Sequence, residues 1–196
     1  MAQTSTTLIS AKSHITSITG TDISLSATSG VYTISATSTV LTGAGKLAVG
    51  DLITVSGSAS NNSTFTVSTV VSTTELTVAE VVTSENADGS STITLDHVGF
   101  VSDKAKGDGY YSQPDGVHTV AYQVANDFNA DATIKMQGTL ATTPTEDDWF
   151  DISGTTFTSD TSTVTSSANF TGNYVWVRSK TQLLTAGTVN SILLNS

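Results

Sequence analysis

The stretch "LAVGDLITVSGSASNNSTFTVSTVVSTTELTVAE", residues 47–80, decides how the rest of the chain is read. Apolar and hydroxyl-bearing residues alternate from Leu52 to Ser56, again through "STFTVSTVV", and again from Glu75 to Val82. A period of two belongs to a strand with one dry and one wet face. Gly50-Asp51 predicts a tight turn into the first of these runs. "GSASNNS" predicts a hairpin loop, because Gly and Asn tolerate left-handed backbone and Ser holds turns through its hydroxyl. "VSTTE" predicts a second, shorter turn. Three strands joined in this way form a meander, the usual piece of a small, strongly bent barrel.

Outward from this stretch the pattern repeats. "TDISLSAT" and "VYTISAT" precede it, and "STITLDHVGFV", "HTVAYQVA", "ATIKMQGTL", "WFDIS", "NYVWVRSK" and "GTVNSILLN" follow. No long run places apolar residues at helical spacing between capping signals. Short strands at roughly 8–12-residue intervals predict an all-β chain of sandwich or barrel type.

The composition agrees. The chain has 196 residues, 37% of them hydrophobic and only 12% charged. Ser and Thr make up about a third. Such tracts can be disordered, but here they alternate with Val, Ile, Leu and aromatic residues, so the hydroxyls coat the wet side of strands. Thr suits that place, since its β-branch favours extended backbone. Seven basic residues against seventeen acidic ones give a charge of −10. That excludes the basic footprint of a nucleic-acid binder and disfavours anionic membrane surfaces. There is no cysteine, hence no disulfide and no thiolate metal site. "MAQTSTTLIS" carries no secretory signal and no apolar run reaches the length of a membrane span, so the expected place of synthesis is the cytoplasm.

Two domains are expected. The first half holds only Tyr32 and Phe65 as aromatics before Phe100, whereas the second holds both tryptophans and four of the five tyrosines. The shift falls near "SENADGSSTITLDHVG", with Asn86-Ala87-Asp88-Gly89 as a hairpin turn. This gives a barrel- or sandwich-like domain over 1–95 and a jelly-roll-like β-sandwich over 96–196. Residues 1–20 read either as a strand of their own domain or as an arm that pairs with a neighbouring subunit.

The acids Glu146, Asp147, Asp148 and, just beyond, Asp151 are open to three uses: a capped turn, a calcium site or a catalytic carboxylate pair. Thr145 is a good N-cap, and acids after it would sit where negative charge favours free N–H groups. That reading is preferred. Calcium wants six to eight oxygens and this loop offers three or four, while catalysis needs a pocket that neighbouring acids alone do not make. No catalytic, cofactor-binding or metal-ligating residue is therefore assigned. His14, His97 and His118 have no metal-ligand spacing, and His118 reads as a sheet residue. Lys104 to Gly116 reads as a long exposed loop in which Tyr110 and Tyr111 could anchor a partner. Alternation sets Tyr174, Trp176 and Arg178 on one strand face and Val175 and Val177 on the other. Arg178, the one arginine, then either pairs with a nearby acid or forms a Trp/Arg/Tyr interface patch with Trp176 and Tyr174; Trp149 is a separate interface candidate.

Residues 30–85, with "VGDLITVSGSASNNSTFTV" and "TTELTVAE", resemble a small β-domain of tailed-bacteriophage structural proteins. Residues 96–196 resemble a second virion module, in the order "HTVAYQV", "ATIKMQGTL", "TEDDWFDI", "GNYVWVRSKTQLLTAGTVNSILLN". "IKMQGTL…WFDI" and "YVWVR" are also similar to discoidin-like jelly rolls. The resemblance implies a non-enzymatic virion component, foremost a capsid decoration or head-fibre protein that binds the major capsid protein or other virion proteins. It also implies a homo-oligomer, with a trimer one form. Tail, neck or fibre location is the nearest alternative. The discoidin-like segments imply another, a carbohydrate-binding module in which Tyr110, Tyr111 and Trp149 meet a surface glycan.

Overall fold

The computed structural model describes residues 5–111, 116–159 and 164–195. It is all-β, with antiparallel sheets. The chain forms two compact units, one being Ile15–Phe100 and the other the residues before and after it.

Strand β1 (Ser5–Ser13) belongs to the second unit. In the first unit the strands are β2 (Ile18–Gly20), β3 (Ile23–Thr28), β4 (Val31–Ala36) and β5 (Asp51–Ser56), followed by β6 (Thr64–Ser72), β7 (Glu75–Val78) and β8 (Ile93–Val101). The meander read from residues 47–80 is present as β5-β6-β7, and β4 adds to β7. β3 pairs with β4, while β2, only two residues before β3, pairs with β8 on the far side of β5. One bent stretch thus closes the sheet on itself as a small barrel. The interior is filled by alternating side chains such as Ile23, Leu25, Ile34, Ile53, Phe65 and Leu76. Ser29 and Gly30, both at positive φ, form the two-residue turn between β3 and β4 that matches strand twist.

Carboxylates organise the irregular segments. At the bend between β2 and β3, Asp22 accepts from the backbone N–H groups of Ser38 (2.6 Å) and Thr39 (2.9 Å) and from the hydroxyls of Thr37, Ser38 and Thr39. Glu85 accepts from the Ser58 hydroxyl (2.6 Å), the Ala59 N–H (2.8 Å) and the Asn61 amide (3.1 Å), so it ties down the "GSASNNS" loop. Both carboxyls are held below their ordinary range, Asp22 chiefly by the Thr39 hydroxyl and Glu85 chiefly by the Ser58 hydroxyl. A carboxyl with a lower pKa folded than unfolded adds stability that is present above its unfolded pKa and lost as pH falls. Barrel stability is therefore expected to decline as pH drops below about 4. Asp22→Asn with Glu85→Gln should flatten that slope. Urea unfolding followed by circular dichroism between about pH 7 and pH 3 checks it, and equal slopes would count against the two clamps.

One turn differs from its reading. Gly89 has positive φ and Asp88 accepts from Ser90 and Ser91, but this is not a hairpin. Both edges of β7 are already taken, by β4 and β6, so β8 cannot pair with it and goes to β5 instead. The intervening chain crosses over, bridging Leu25 through Glu85.

The second unit contains β1, β9 (Ala105–Lys106), β10 (Val117–Val124), β11 (Thr133–Thr139) and β12 (Phe150–Asp151), then β13 (Phe157–Thr158), β14 (Thr165–Thr171), β15 (Trp176–Gln182) and β16 (Thr188–Asn195). One sheet runs β1-β16-β10-β14. The other is centred on β11, with β12 and β13 on one edge, β15 on the other and β9 beyond β15. They form a β-sandwich. Tyr122 of β10 stacks on Phe157 of β13 at 5.6 Å, and its hydroxyl donates to the Thr155 carbonyl at 2.6 Å. The Thr155 hydroxyl in turn donates to Ile152 O and accepts from Met136 N. This chain satisfies polar groups that would be costly to bury alone.

The two units divide between Phe100 and Val101, a few residues after Leu95. Within residues 1–20, Ile18–Gly20 is β2 of the first unit, whereas β1 pairs with β16 of the second, from Ser5–Asn195 to Ser13–Thr188. Ile9, the buried apolar residue of β1, finds cover there.

Candidate binding face

The outer face of the sheet formed by β9, β15 and β11 gathers the residues singled out in the sequence. Val177, Ser179 and Thr181 of β15 point inward and are buried. The alternate positions Trp176, Arg178 and Lys180 stand on the other side. Register then sets Trp176 opposite Lys106 of β9, Arg178 opposite Gln137 of β11, and Lys180 opposite Lys135.

Arg178 is central. Its Nη1 and Nη2 donate to the two carboxylate oxygens of Glu146 at 2.8 and 2.7 Å, and its Nε donates to Gln137 Oε1 at 3.0 Å. The Trp149 ring lies over the guanidinium with its centroid at 4.2 Å. Arg178 thus pairs with an acid, as one reading of the sequence has it, and also packs against Trp149. Gln137 passes the network on, its amide donating to Asp151, which also binds Lys135.

These contacts account for the acids. Glu146 holds Arg178. Asp148 accepts from the N–H and hydroxyl of Thr145 (2.7 and 2.8 Å), which lower its pKa and close the short turn Glu146–Asp148. Burial raises Asp151, but hydrogen bonds from Lys135 and Gln137 outweigh it and leave the carboxyl below its usual range. Asp147 is exposed. Among the described residues no three His or acidic side chains are grouped to hold a metal.

Beside Trp176 lies a ledge of aromatic rings. The loop after β9 is pinned to the segment leading into β15, Gly107 N donating to Val175 O and Gly109 N to Tyr174 O. A Cβ on Gly107 would sit 2.4 Å from Tyr174 O, so only glycine allows this approach. The short turn Asp108–Tyr111 then presents Tyr110 against Trp176 at 4.8 Å and Tyr111 against Tyr110 at 5.2 Å. Lys104 lies over the Trp176 ring at 4.6 Å, and Lys106 over Tyr110 at 4.2 Å. Each such cation–ring contact contributes about 0.5–1 kcal/mol at an exposed site. Tyr110 and Tyr111 remain 43% and 55% exposed. Residues 112–115 of this loop lie outside the described residues.

His118 is a buried sheet residue in β10, stacked on Phe170, with Nε2 3.3 Å from Asp108. Asp108 also accepts from Gly116 N, so it ties the two ends of the exposed loop together. His97 is buried in the barrel, its Nδ1 accepting from Ile15 N.

Thus Tyr110, Tyr111, Trp149, Trp176 and Arg178, far apart in sequence, meet on one face. Sequence reading missed Lys104, Lys106, Lys135, Gln137 and Lys180. The alternation Lys135–Gln137 beside Arg178–Lys180 was a usable signal, but the register joining them was not. No family model and no curated protein matches this chain.

Proposed function

We propose that the protein is a non-enzymatic structural component of a tailed-phage virion, a capsid decoration or head-fibre protein that holds the outer shell. The resemblance of residues 30–85 and 96–196 to phage virion modules supplies the context. The observation that carries a binding role is the assembly of Arg178, Trp149, Trp176 and the two tyrosines on one sheet face. Tryptophan, tyrosine and arginine are enriched among the residues that dominate binding energy at protein interfaces; the two aromatics bury much area at low conformational cost. The acids nearest to it are spent on turns and ion pairs within the chain.

Such a protein stabilises a shell by adding buried area across neighbouring subunits, and repetition over the lattice raises weak contacts by avidity. Saturable co-sedimentation of the purified chain with heads lacking it is the expected result. Trp176→Ala should cut retention at least about tenfold, the effect of losing one interface anchor. Uptake by tails alone would transfer the protein to a tail, neck or fibre. Binding to a glycan array without particle binding would favour the carbohydrate module, for which the exposed Tyr111 is the supporting feature.

A further inference from the structure

The seven basic residues of this acidic chain are unevenly placed. Lys104, Lys106, Lys135, Arg178 and Lys180 all fall on or beside β9, β11 and β15, on the face just described. The barrel unit, by contrast, has Lys46 as its one basic residue against seven acids. Clustering like charges on one sheet face costs free energy unless anions answer them.

Two of the five cations are answered within the chain, Arg178 by Glu146 and Lys135 by Asp151. Among the described residues the other three are in no ion pair: Lys104 and Lys106 meet aromatic rings rather than carboxylates, and Lys180 has no direct carboxylate partner. Lys180 is half-buried between Arg178 and Lys135; burial and those two charges outweigh the attraction of Asp151 and Glu146 and hold its ammonium below its usual range. A carboxylate paired directly with it would reverse that balance.

The geometry discriminates between ligands. Sugar recognition by stacking on a tryptophan needs a bare indole face. Here Arg178 lies on Trp149, while Lys104 and Tyr110 lie on Trp176. What the face offers outward is ammonium groups beside the exposed rings of Tyr110 and Tyr111. A second copy is a poor complement, since Asp22, Glu80, Glu85 and Asp88 of the barrel are engaged with their own loops. Two chains of charge −10 also repel one another at long range.

We propose that this face docks an acidic segment of a partner protein, whose Asp or Glu side chains pair with Lys104, Lys106 and Lys180 while an apolar side chain packs on Tyr110 and Tyr111. The proposal deepens the binding role above and rests on it in one respect, that the chain works by holding another protein.

The test uses the full chain and a hexaglutamate peptide, with hexaglutamine as the neutral comparison. Both tryptophans of the protein, Trp149 and Trp176, lie on this face, so their emission reports on it directly. Hexaglutamate should change that emission saturably at low salt, and hexaglutamine should not. Affinity should fall at least about tenfold in about 0.5 M salt. It should fall as far in the combined variant Lys104→Gln, Lys106→Gln, Lys180→Gln, while Lys12→Gln with Lys46→Gln binds as wild type. Absence of hexaglutamate binding by both emission and calorimetry would overturn the proposal, and so would equal loss in the two variants. Self-association of the wild type in sedimentation velocity, abolished in the three-lysine variant, would assign the face to a second copy and overturn it too. Peptide binding needs no particle. Failure on heads with peptide binding intact therefore removes the virion reading alone, and the reverse removes this proposal alone.

Discussion

Arg178→Ala is expected to lower the unfolding free energy of the sandwich unit by about 3 kcal/mol, the scale for breaking a largely buried ion pair. The Arg178 side chain is 6% exposed and that of Glu146 28%. Removing the guanidinium leaves the Glu146 carboxylate without its bidentate partner, Gln137 Oε1 without its donor and Trp149 without the group beneath its ring. Most of the cost is the stranded carboxylate. The pair Arg178→Met with Glu146→Leu should therefore recover much of the loss, because replacing both partners by apolar groups leaves nothing buried and unpaired. Urea unfolding followed by tryptophan emission is the suitable measurement, as both tryptophans contact this network or its neighbours in the sandwich. A double variant no better than Arg178→Ala would show that packing under Trp149, rather than charge pairing, sets the stability here.

Gly57→Ala is expected to cost the barrel about 3 kcal/mol. Gly57 has φ of +80°, which penalises any side chain, and a Cβ there would lie 2.1 Å from the Thr92 carbonyl oxygen. That oxygen is backbone, so relief requires moving the chain just before β8. Gly30 is an internal comparison. Its φ is +79°, but nothing lies within 4 Å of its Cβ position, so Gly30→Ala should cost only the conformational part, about 1 kcal/mol. Urea unfolding of both variants by far-ultraviolet circular dichroism separates the two contributions. Equal losses would mean that the approach of Gly57 to Thr92 carries no strain.

The glycine in "VSGSAS" illustrates how far sequence reasoning reaches. Its role as a turn residue is local and legible. Its second role, to let Thr92 approach, depends on residues 35 positions away in the chain and could not be read. The cluster after Pro144 behaves similarly. The cap by Thr145 follows from local chemistry, but the choice of Glu146 rather than Asp147 as the partner of Arg178 depends on where β15 passes.

Strand identity was written in the sequence, because alternation of aliphatic and hydroxyl side chains is a local property that specifies backbone and facing together. Hence the all-β class, the meander of β5 to β7 and the facing of Val177 against Trp176 and Arg178 were legible. β14 was not. As an edge strand it presents only Phe170 as a buried side chain, so "TSSANFT" shows no apolar alternation. Tertiary structure alone decided which strands pair: that β1 joins β16, that β8 leaves β7 for β5, and that Lys106, Gln137 and Lys135 flank β15. Register is chosen by long-range burial and by which edges are already occupied. A face built across three strands exists only once that choice is made.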